Sequence, residues 1–426
     1  MQTGPTVASR LAAALRTVLG AEELPWRLRA WDGSEAGPAG APVLVVRSPV
    51  AVRRLAWAPG ELGLARAYVA GDIDIGGDVY ATLDALGAVT RLSSSDAFAR
   101  PTAREWLGLA RTAAALGAVG PPPAPPPEEY RRARRNRLHS LRRDAAAVSH
   151  HYDVGNEFYA LVLGPTLVYS CAVWTDEGTG LDAAQVAKLD LVCRKLGLRP
   201  GMRLLDVGCG WGSLALHAAR EHGADVVGIT LSEEQAALAR QRVAGAGLEE
   251  RITIRVQDYR TVDDGPFDAV SSVGMAEHVG RSGLPTYVAA LHDLLAPGGR
   301  LLHHVISWSA GETSWDDDTF IARYVFPDGE LISLADTVAG LEKRFEILDV
   351  EALRRHYALT LRAWVDRLEK HWDTAVALTS EGRARVWRLY MAAAALSFES
   401  GKLGVNQVLV RRAGGAPPPL RRTDWV

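Results

Sequence analysis

The chain has 426 residues, with 48 Lys and Arg against 50 Asp and Glu, a formal charge of −2 and 48% hydrophobic residues. That length suits two domains, the apolar content supports a packed core, and the charge balance argues against a generic polyanion binder. The three cysteines, Cys171, Cys193 and Cys209, fit neither a disulfide framework nor a zinc site; they point to a reducing compartment, and no metal is expected. No run of about 18 apolar residues occurs, so no transmembrane helix is predicted. Met1 to Gly20 lacks an apolar core followed by a cleavage site, so no signal peptide is predicted either.

Residues 1–120 read as a small α+β accessory domain without a catalytic constellation. Val43–Val46 suits a strand, Pro49–Trp57 and Glu61–Val69 suit helices, Gly71–Gly76 a turn or short hairpin, and Val79–Leu86 a helix. Pro121-Pro122-Pro123-Ala124-Pro125-Pro126-Pro127 is a stiff spacer and the clearest boundary. Residues 121–145 are assigned to this linker and a basic helix carrying Arg131, Arg132, Arg134, Arg135, Arg137, Arg142 and Arg143. Such a run is either a solvated face or an attraction to anionic lipid head groups, each basic residue contributing about 1 kcal/mol at a membrane. Nucleic acid is not expected, because the rest of the chain carries no matching basic signal.

Residues 146–412 carry the pattern of a doubly wound α/β domain. Leu204-Leu205-Asp206-Val207 ends a buried strand, the turn Gly208-Cys209-Gly210-Trp211-Gly212 follows, and Ser213–Ala219 opens a helix. The turn reads G-x-G-x-G, with Ser213 where a dinucleotide fingerprint requires glycine, and it lacks the Lys-Ser/Thr ending of a P-loop. A glycine turn after Asp-Val-Gly resembles that of S-adenosylmethionine (SAM) methyltransferases, in which an acid such as Asp206 anchors the cofactor ammonium; the alternative is a tight turn with no ligand.

The second strand, Asp225–Ile229, runs into Thr230-Leu231-Ser232 instead of the usual ribose-binding acid, so Thr230, the Leu231 backbone and Gln235 are expected to share that work. Ser232 with Gln235 is also a capping box, and both readings can hold. Gln257-Asp258 follows the third strand, Ile252–Val256, and suits the adenine. Phe267–Val273 is a fourth strand delivering Gly274-Met275-Ala276-Glu277-His278-Val279-Gly280 to the carboxyl edge of the sheet. Leu301–Ile306 is a strand after the Pro297-Gly298-Gly299 turn, and residues 319–353 read as an insertion with a loop at Phe326–Gly329. Trp364–His371 and Arg383–Phe398 are helical, Asn406–Val410 is a last strand, and 413–426 is a frayed tail.

His151-Tyr152-Asp153-Val154-Gly155-Asn156-Glu157-Phe158-Tyr159, then Tyr169-Ser170-Cys171-Ala172, the glycine turn, Gly228–Ser232 and Ser272–Gly280, in this order and spacing, closely resemble the cyclopropane fatty acid synthase family, which includes the mycolic acid cyclopropane synthases and methyltransferases. The match covers about residues 130–412; residues 1–120 resemble more loosely the accessory domain of the phospholipid-modifying members. The resemblance implies a class I SAM methyltransferase fold. It implies methyl transfer from SAM to a cis double bond of an unsaturated phospholipid acyl chain, and proton loss from the resulting carbocation to a bound bicarbonate. It places Tyr169 and Ser170 with the cofactor site and builds the bicarbonate cage from Glu277, His304 and Tyr357 through side chains, and from Cys171 and Ile306 mainly through the backbone. It also implies a homodimer, peripheral on an anionic phospholipid surface at the inner face of the membrane, in the cytoplasm.

The residue types suit that chemistry. An isolated alkene needs a sulfonium methyl held against it rather than a prior base, and a weak base must then remove a proton. Two adjacent anions repel, so Glu277 is expected to be protonated or to share a proton. Tyr169 and Trp174 offer aromatic faces to the cation. Taken singly, Cys171, His304 and Tyr357 have plainer readings as core residues, whereas an acid such as Glu277 at a strand's end is costly to bury without a purpose. His303 would face the other side of the sheet and is given no role. The chain departs from the family at Ala276 and Val305, and has alanines at 392–395 where some relatives carry a cysteine. The cyclopropane product therefore has a runner-up, a 10-methylene chain that a separate reductase would convert to a methyl branch. Readings of other classes are a small-molecule N- or O-methyltransferase and a non-catalytic lipid-binding protein.

Overall fold

The computed structural model describes residues 4–93, 102–130, 154–309, 319–327 and 329–422. The arginine run at 131–143 and the motif residues His151, Tyr152 and Asp153 lie outside the described residues. The chain forms two compact units: Met1–Arg131 with Asp317–Val325 and Ser380–Leu396, and Arg132–Asp316 with Phe326–Thr379 and Ser397–Val426.

In the first unit, β1 (Arg27–Arg29), β2 (Glu35–Ala36), β3 (Val43–Val46) and β4 (Ile73–Gly76) form a sheet in the order β2-β1-β3-β4. The stretch expected to be a turn or short hairpin is β4, paired antiparallel with β3. Ile73 draws it in, since its side chain belongs to the core with Trp26, Leu28, Leu44 and Val46. The polyproline stretch is not a bare spacer. Arg54 Nη1 donates to the Ala124 carbonyl at 2.7 Å, and just beyond, Arg66 grips the buried Glu129 with two hydrogen bonds of 2.6 Å. Compactness therefore carries this unit past residue 120. It also takes in residues 380–396, which the sequence reading gave to the catalytic region: Arg385, 3% exposed, is paired with Asp74 and Glu381.

The second unit holds β5 (Arg203–Val207), β6 (Asp225–Thr230), β7 (Ile252–Val256), β8 (Phe267–Val273), β9 (Leu295–Trp308), β10 (Ile332–Ser333), β11 (Glu346–Ala352) and β12 (Leu403–Arg411). The order is β11-β12-β9-β8-β5-β6-β7, with β10 beside β9. β7, β6, β5, β8 and β9 run parallel, and β12 is antiparallel to both neighbours. The chain leaves β5 toward β6 and returns as β8 on the other side, so the crevice for a ligand lies between the carboxyl ends of β5 and β8. This is the doubly wound α/β architecture expected. Leu204, Leu205 and Val207 are buried because parallel strands are covered on both faces. Val192, Leu196, Leu214, Ala218 and Val243 belong to one core cluster. Tyr287, Leu291, Leu294, Leu301 and Leu341 belong to the other.

Two expectations change. The stretch 319–353 is not an insertion: β11 is the edge of the main sheet, and the helix Leu334–Glu342 precedes it. Its alternation was weak because most of β11 is only half-buried. β9 begins at Leu295, six residues before the expected start, since Leu295 pairs with Phe267 of β8 ahead of a register shift that absorbs the Pro297-Gly298-Gly299 turn.

Leu205 is fully buried at the centre of the sheet. Leu205→Ala is expected to destabilise the second unit by about 2–5 kcal/mol, measured by denaturant unfolding of the full chain against wild type.

Candidate active site

The turn after β5 holds Gly208, Gly210 and Gly212 at φ of +80°, +54° and +77°. At Gly208 the conformation and the space both require glycine, since a Cβ would sit 2.6 Å from Met275 Sδ. The turn is tied to β6 by Gly208 and Cys209 N–H groups, both donating to the Ile229 carbonyl at 2.9 Å. Around it lies a cavity lined by Tyr169, Ser170, Lys188, Asp206, Gly210 and Gln235, among others.

Asp206 is buried and its Oδ1 accepts from Ser271 Oγ at 2.5 Å. Burial pushes its carboxyl up to about 6, with the Ser271 hydrogen bond and the Lys188 charge opposing. Lys188, from the helix Leu181–Leu196, donates to Ser170 Oγ at 3.1 Å, and burial brings its ammonium down to about 8. Gln185 of the same helix donates to the Ser170 carbonyl at 2.9 Å and holds that loop in place. A carboxylate, an ammonium and a glycine turn around one cavity match the amino-acid end of SAM. Sequence reasoning missed Lys188 and Gln185. The signal was there: Ala184, Lys188, Leu191, Val192 and Lys195 form the buried stripe of that helix, and a lysine on such a stripe is anomalous.

Beyond the turn the cap is half formed, since the Ser232 N–H donates to Thr230 Oγ1 at 3.2 Å rather than to the Gln235 side chain. Ser232 Oγ accepts from Gln235 N at 3.2 Å and caps the helix Glu233–Gly245, while Thr230 Oγ1 donates to Gln235 Oε1 at 2.8 Å. Gln235 lines the cavity; Thr230 is buried one hydrogen bond behind it, and Leu231 is half-buried beside them. Gln257 and Asp258 do not line that cavity. Gln257 Nε2 donates to the Thr261 carbonyl, and Asp258 is gripped by the Arg260 guanidinium at 2.8 and 2.7 Å.

Glu277 stands in the first turn of the helix Ala276–Leu294. Its Oε1 accepts from the Ile306 N–H at 2.8 Å, and its Oε2 is buried without a hydrogen-bond partner among the described residues. Burial pushes the carboxyl up to about 7, opposed mainly by the Ile306 hydrogen bond. Ile306, expected to offer its backbone to an anion, has its N–H taken by Glu277. His304 is buried on β9, and burial holds its ring down to about 3, so it is neutral. Lys195 Nζ donates to Gln407 Oε1 at 2.8 Å, which turns the Gln407 Nε2 toward His304 Nδ1 at 3.4 Å. That arrangement places the ring proton on Nε2, which is buried and has no partner among the described residues. Gln407 and Lys195 lie more than 90 positions from His304 in sequence on either side, and no local pattern joins them.

Cys171 is buried, donates through Sγ to the Leu353 carbonyl at 3.7 Å, and has its thiol pushed up by burial, so it supplies no thiolate. The strip after it is stitched to the helix Arg354–Lys370 by Ala172 N to Thr360 Oγ1 at 3.1 Å and by Trp174 N to His356 Nδ1 at 3.0 Å. Tyr357, on that helix, is buried with its ring 4.7 Å from Phe398 and 6.1 Å from Trp364. Trp364 lies 5.4 Å from Tyr169, Tyr169 5.6 Å from Tyr159, and Tyr159 4.9 Å from Trp211. A chain of aromatic rings thus leads from the glycine turn to Tyr357. His303 points the other way, its ring 5.7 Å from that of Tyr287.

Gly208→Ala is expected to weaken SAM binding at least roughly tenfold, a loss of about 1.4 kcal/mol, with the fold retained; calorimetric titration with circular dichroism reads both.

The family model for mycolic acid cyclopropane synthetase matches residues 139–408. The chain is 42% identical over 408 residues to a probable fatty acid methyltransferase of Mycobacterium tuberculosis (strain ATCC 25618 / H37Rv), covering 93% of this chain and 94% of that one. It is 38% identical over 280 residues to the cyclopropane-fatty-acyl-phospholipid synthase of Escherichia coli (strain K12), covering 66% and 71%. The crystal structure of the mycolic acid cyclopropane synthase CmaA1 complexed with SAH and CTAB aligns with a TM-score of 0.59 at 33% identity, covering 63% of this chain and 98% of that one. With the glycine turn, Asp206 and the sheet order already in place, the conclusion is that this chain belongs to the mycolic acid cyclopropane synthetase family and is a SAM-dependent methyltransferase.

Proposed function

We propose that the enzyme transfers the SAM methyl to a cis double bond in an unsaturated acyl chain of a membrane phospholipid and closes a cyclopropane ring, with bicarbonate as the base. The observation carrying this reading is the pair of buried atoms without hydrogen-bond partners among the described residues, Glu277 Oε2 and His304 Nε2. Leaving two such atoms unsatisfied costs about 1–3 kcal/mol each, and a small oxyanion held by both would remove that cost.

Bound SAM supplies the electrophilic methyl. Asp206, Lys188 and Ser170 hold its amino-acid end, and the glycine turn lets the backbone approach it. Methyl attachment leaves a positive carbon in the acyl chain. The ring faces of Tyr169, Trp364 and Tyr357 stabilise it by about 0.5–2 kcal/mol per face. Glu277 Oε2, His304 Nε2 and Tyr357 would hold bicarbonate, which would supply the oxygen that takes the proton. Glu277 stays protonated to about pH 7 and donates, so two anions never stand side by side. His304 donates through Nε2 as a neutral imidazole. The electrons of the broken C–H bond close the ring.

The runner-up product is the 10-methylene chain, with a separate reductase completing a methyl branch. In its favour, the relative matched along 94% of its length is named a fatty acid methyltransferase. Ring and methylene have equal mass, so proton NMR of lipids from an expressing host decides: cyclopropyl protons support the first, vinylidene protons the second. Incorporation only into a soluble amine or alcohol would move the enzyme to another class.

No helix among the described residues is long and apolar enough to cross a membrane. The arginines at 131–143 supply the contact with anionic lipid on the cytoplasmic face, the family resemblance supports a homodimer, and the lack of a matching basic signal elsewhere in the sequence argues against a nucleic-acid partner.

Glu277→Gln is expected to lower lipid product at least roughly 100-fold while SAM affinity, by calorimetry, stays close to wild type; near-normal turnover would remove Glu277 from the proton path. The same variant carries a pH signature. Glu277 binds its proton more tightly folded than unfolded, so its contribution to stability is full below pH 4.5 and is lost as pH rises to about 7. Thermal melts of Glu277→Gln should lack that loss and gain on wild type across this window. Replacing Arg131, Arg132, Arg134 and Arg135 by Gln is expected to weaken binding to phosphatidylglycerol vesicles, with the difference fading at high salt; unchanged binding in flotation assays would make the run a solvated face.

A further inference from the structure

We propose that Asp190, Cys193, His217 and His222 form a four-coordinate site for a divalent transition metal ion of the zinc type, bridging the helix Leu181–Leu196 and the helix Ser213–His222. Cys193 Sγ and one ring nitrogen of each histidine lie within 4.8 Å of one another. Asp190 Oδ1 is 3.3 Å from His222 Nε2 and 3.8 Å from His217 Nε2. A tetrahedral zinc with bonds of about 2.0–2.3 Å sets its ligand atoms roughly 3.3–3.8 Å apart. The carboxylate and imidazoles therefore already stand at ligand spacing, and the widest separation among Cys193 Sγ and the two ring nitrogens closes by about 1 Å on binding.

Independent features support a site rather than a chance cluster. His217 Nε2 is buried and has no hydrogen-bond partner among the described residues. The second oxygen of Asp190, Oδ2, accepts from Arg194 Nε at 2.7 Å, an outer contact that holds Oδ1 toward the histidines. The histidine side chains are 13% and 17% exposed, giving an ion a path from solvent to the buried thiol. Binding would release the Cys193 proton to solvent, so thiolate and carboxylate would balance the dication. Burial lowers the His217 ring below its ordinary value, opposed by the Asp190 charge, and so favours the neutral form that ligates. Thiolate with imidazole selects zinc-like ions over magnesium or calcium.

Four protein donors leave no open position, so the role is structural. The first helix carries Lys188 and Gln185 to the cofactor cavity and the second begins where the glycine turn ends. A metal here would clamp the two supports of the cofactor cradle without touching the chemistry. The cysteine count excluded zinc because a single cysteine on one helix and histidines five apart on the next match no linear metal motif.

The test uses the full chain, stripped with chelator and dialysed, then titrated with zinc alone and with cobalt(II) alone. One equivalent per chain, a sulfur-to-cobalt charge-transfer band with tetrahedral ligand-field bands, and a higher melting temperature are expected. Cys193→Ser should abolish the charge-transfer band. His222→Gln, at a half-buried helix end and compatible with folding, should weaken zinc by more than the roughly 10–100-fold that outer-shell changes cost. Absence of stoichiometric binding to the wild type, a cobalt spectrum without the sulfur band, or unchanged zinc affinity in His222→Gln would each overturn the site. Should Cys193→Ser fail to fold, His222→Gln decides alone.

Discussion

Glu277 is held by one carboxyl oxygen on the Ile306 N–H while its other oxygen is buried without a hydrogen-bond partner among the described residues, and its surroundings are arranged around that constraint. An acid desolvated this far takes up a proton, which places it at about 7. The sheet sets the geometry. Gly274 N–H donates to the His304 carbonyl at 3.0 Å, so the end of β8 and the middle of β9 are locked together. Glu277 then enters the first helical turn with Ile306 in reach and His304 two residues earlier on the same face of the strand. A neutral acid and a neutral imidazole can both donate to one anion, whereas a carboxylate in the same place would repel it.

The cofactor end follows the same logic with a different outcome. Asp206 is also buried, yet Ser271 and Lys188 oppose its desolvation and hold it nearer the ionised range. One sheet edge thus carries two buried acids in different surroundings, one accompanied by Ser271 and Lys188 and the other mainly by the Ile306 N–H. The helix Leu181–Leu196 supplies much of that compensation. It sends Lys188 and Gln185 to the Tyr169-Ser170 loop and Lys195 to Gln407, and so supports both the SAM cavity and, through Gln407, the His304 ring. Cys193 of the proposed metal cluster sits on the same helix, and its histidines sit on the helix that follows the glycine turn.

Much of this was legible in the residues. The run Leu204–Gly212 announced strand, turn and helix because buried parallel strands are continuously apolar and the turn needs positive φ. Short elements at edges were less legible. β4 and β11 carry weak alternation, so one read as a turn and the other as part of an insertion. Helix Glu381–Glu399 looked like part of the catalytic region because it sits within its sequence span. Buried Arg385 with Asp74 assigns most of it elsewhere, an interaction across 311 positions that no window can show.

The sequence by itself determined the fold class and the cofactor and singled out Glu277, because each depends on local chemistry: a periodic apolar run, a glycine turn, an acid where burial is costly. Tertiary structure decided which polar atoms are satisfied. It alone shows that the Ile306 N–H belongs to Glu277, that Asp258 is engaged by Arg260, and that Lys195 aims Gln407 at His304. Hydrogen-bond satisfaction in a buried site is a property of pairs brought together from distant strands and helices, and only the folded packing defines those pairs.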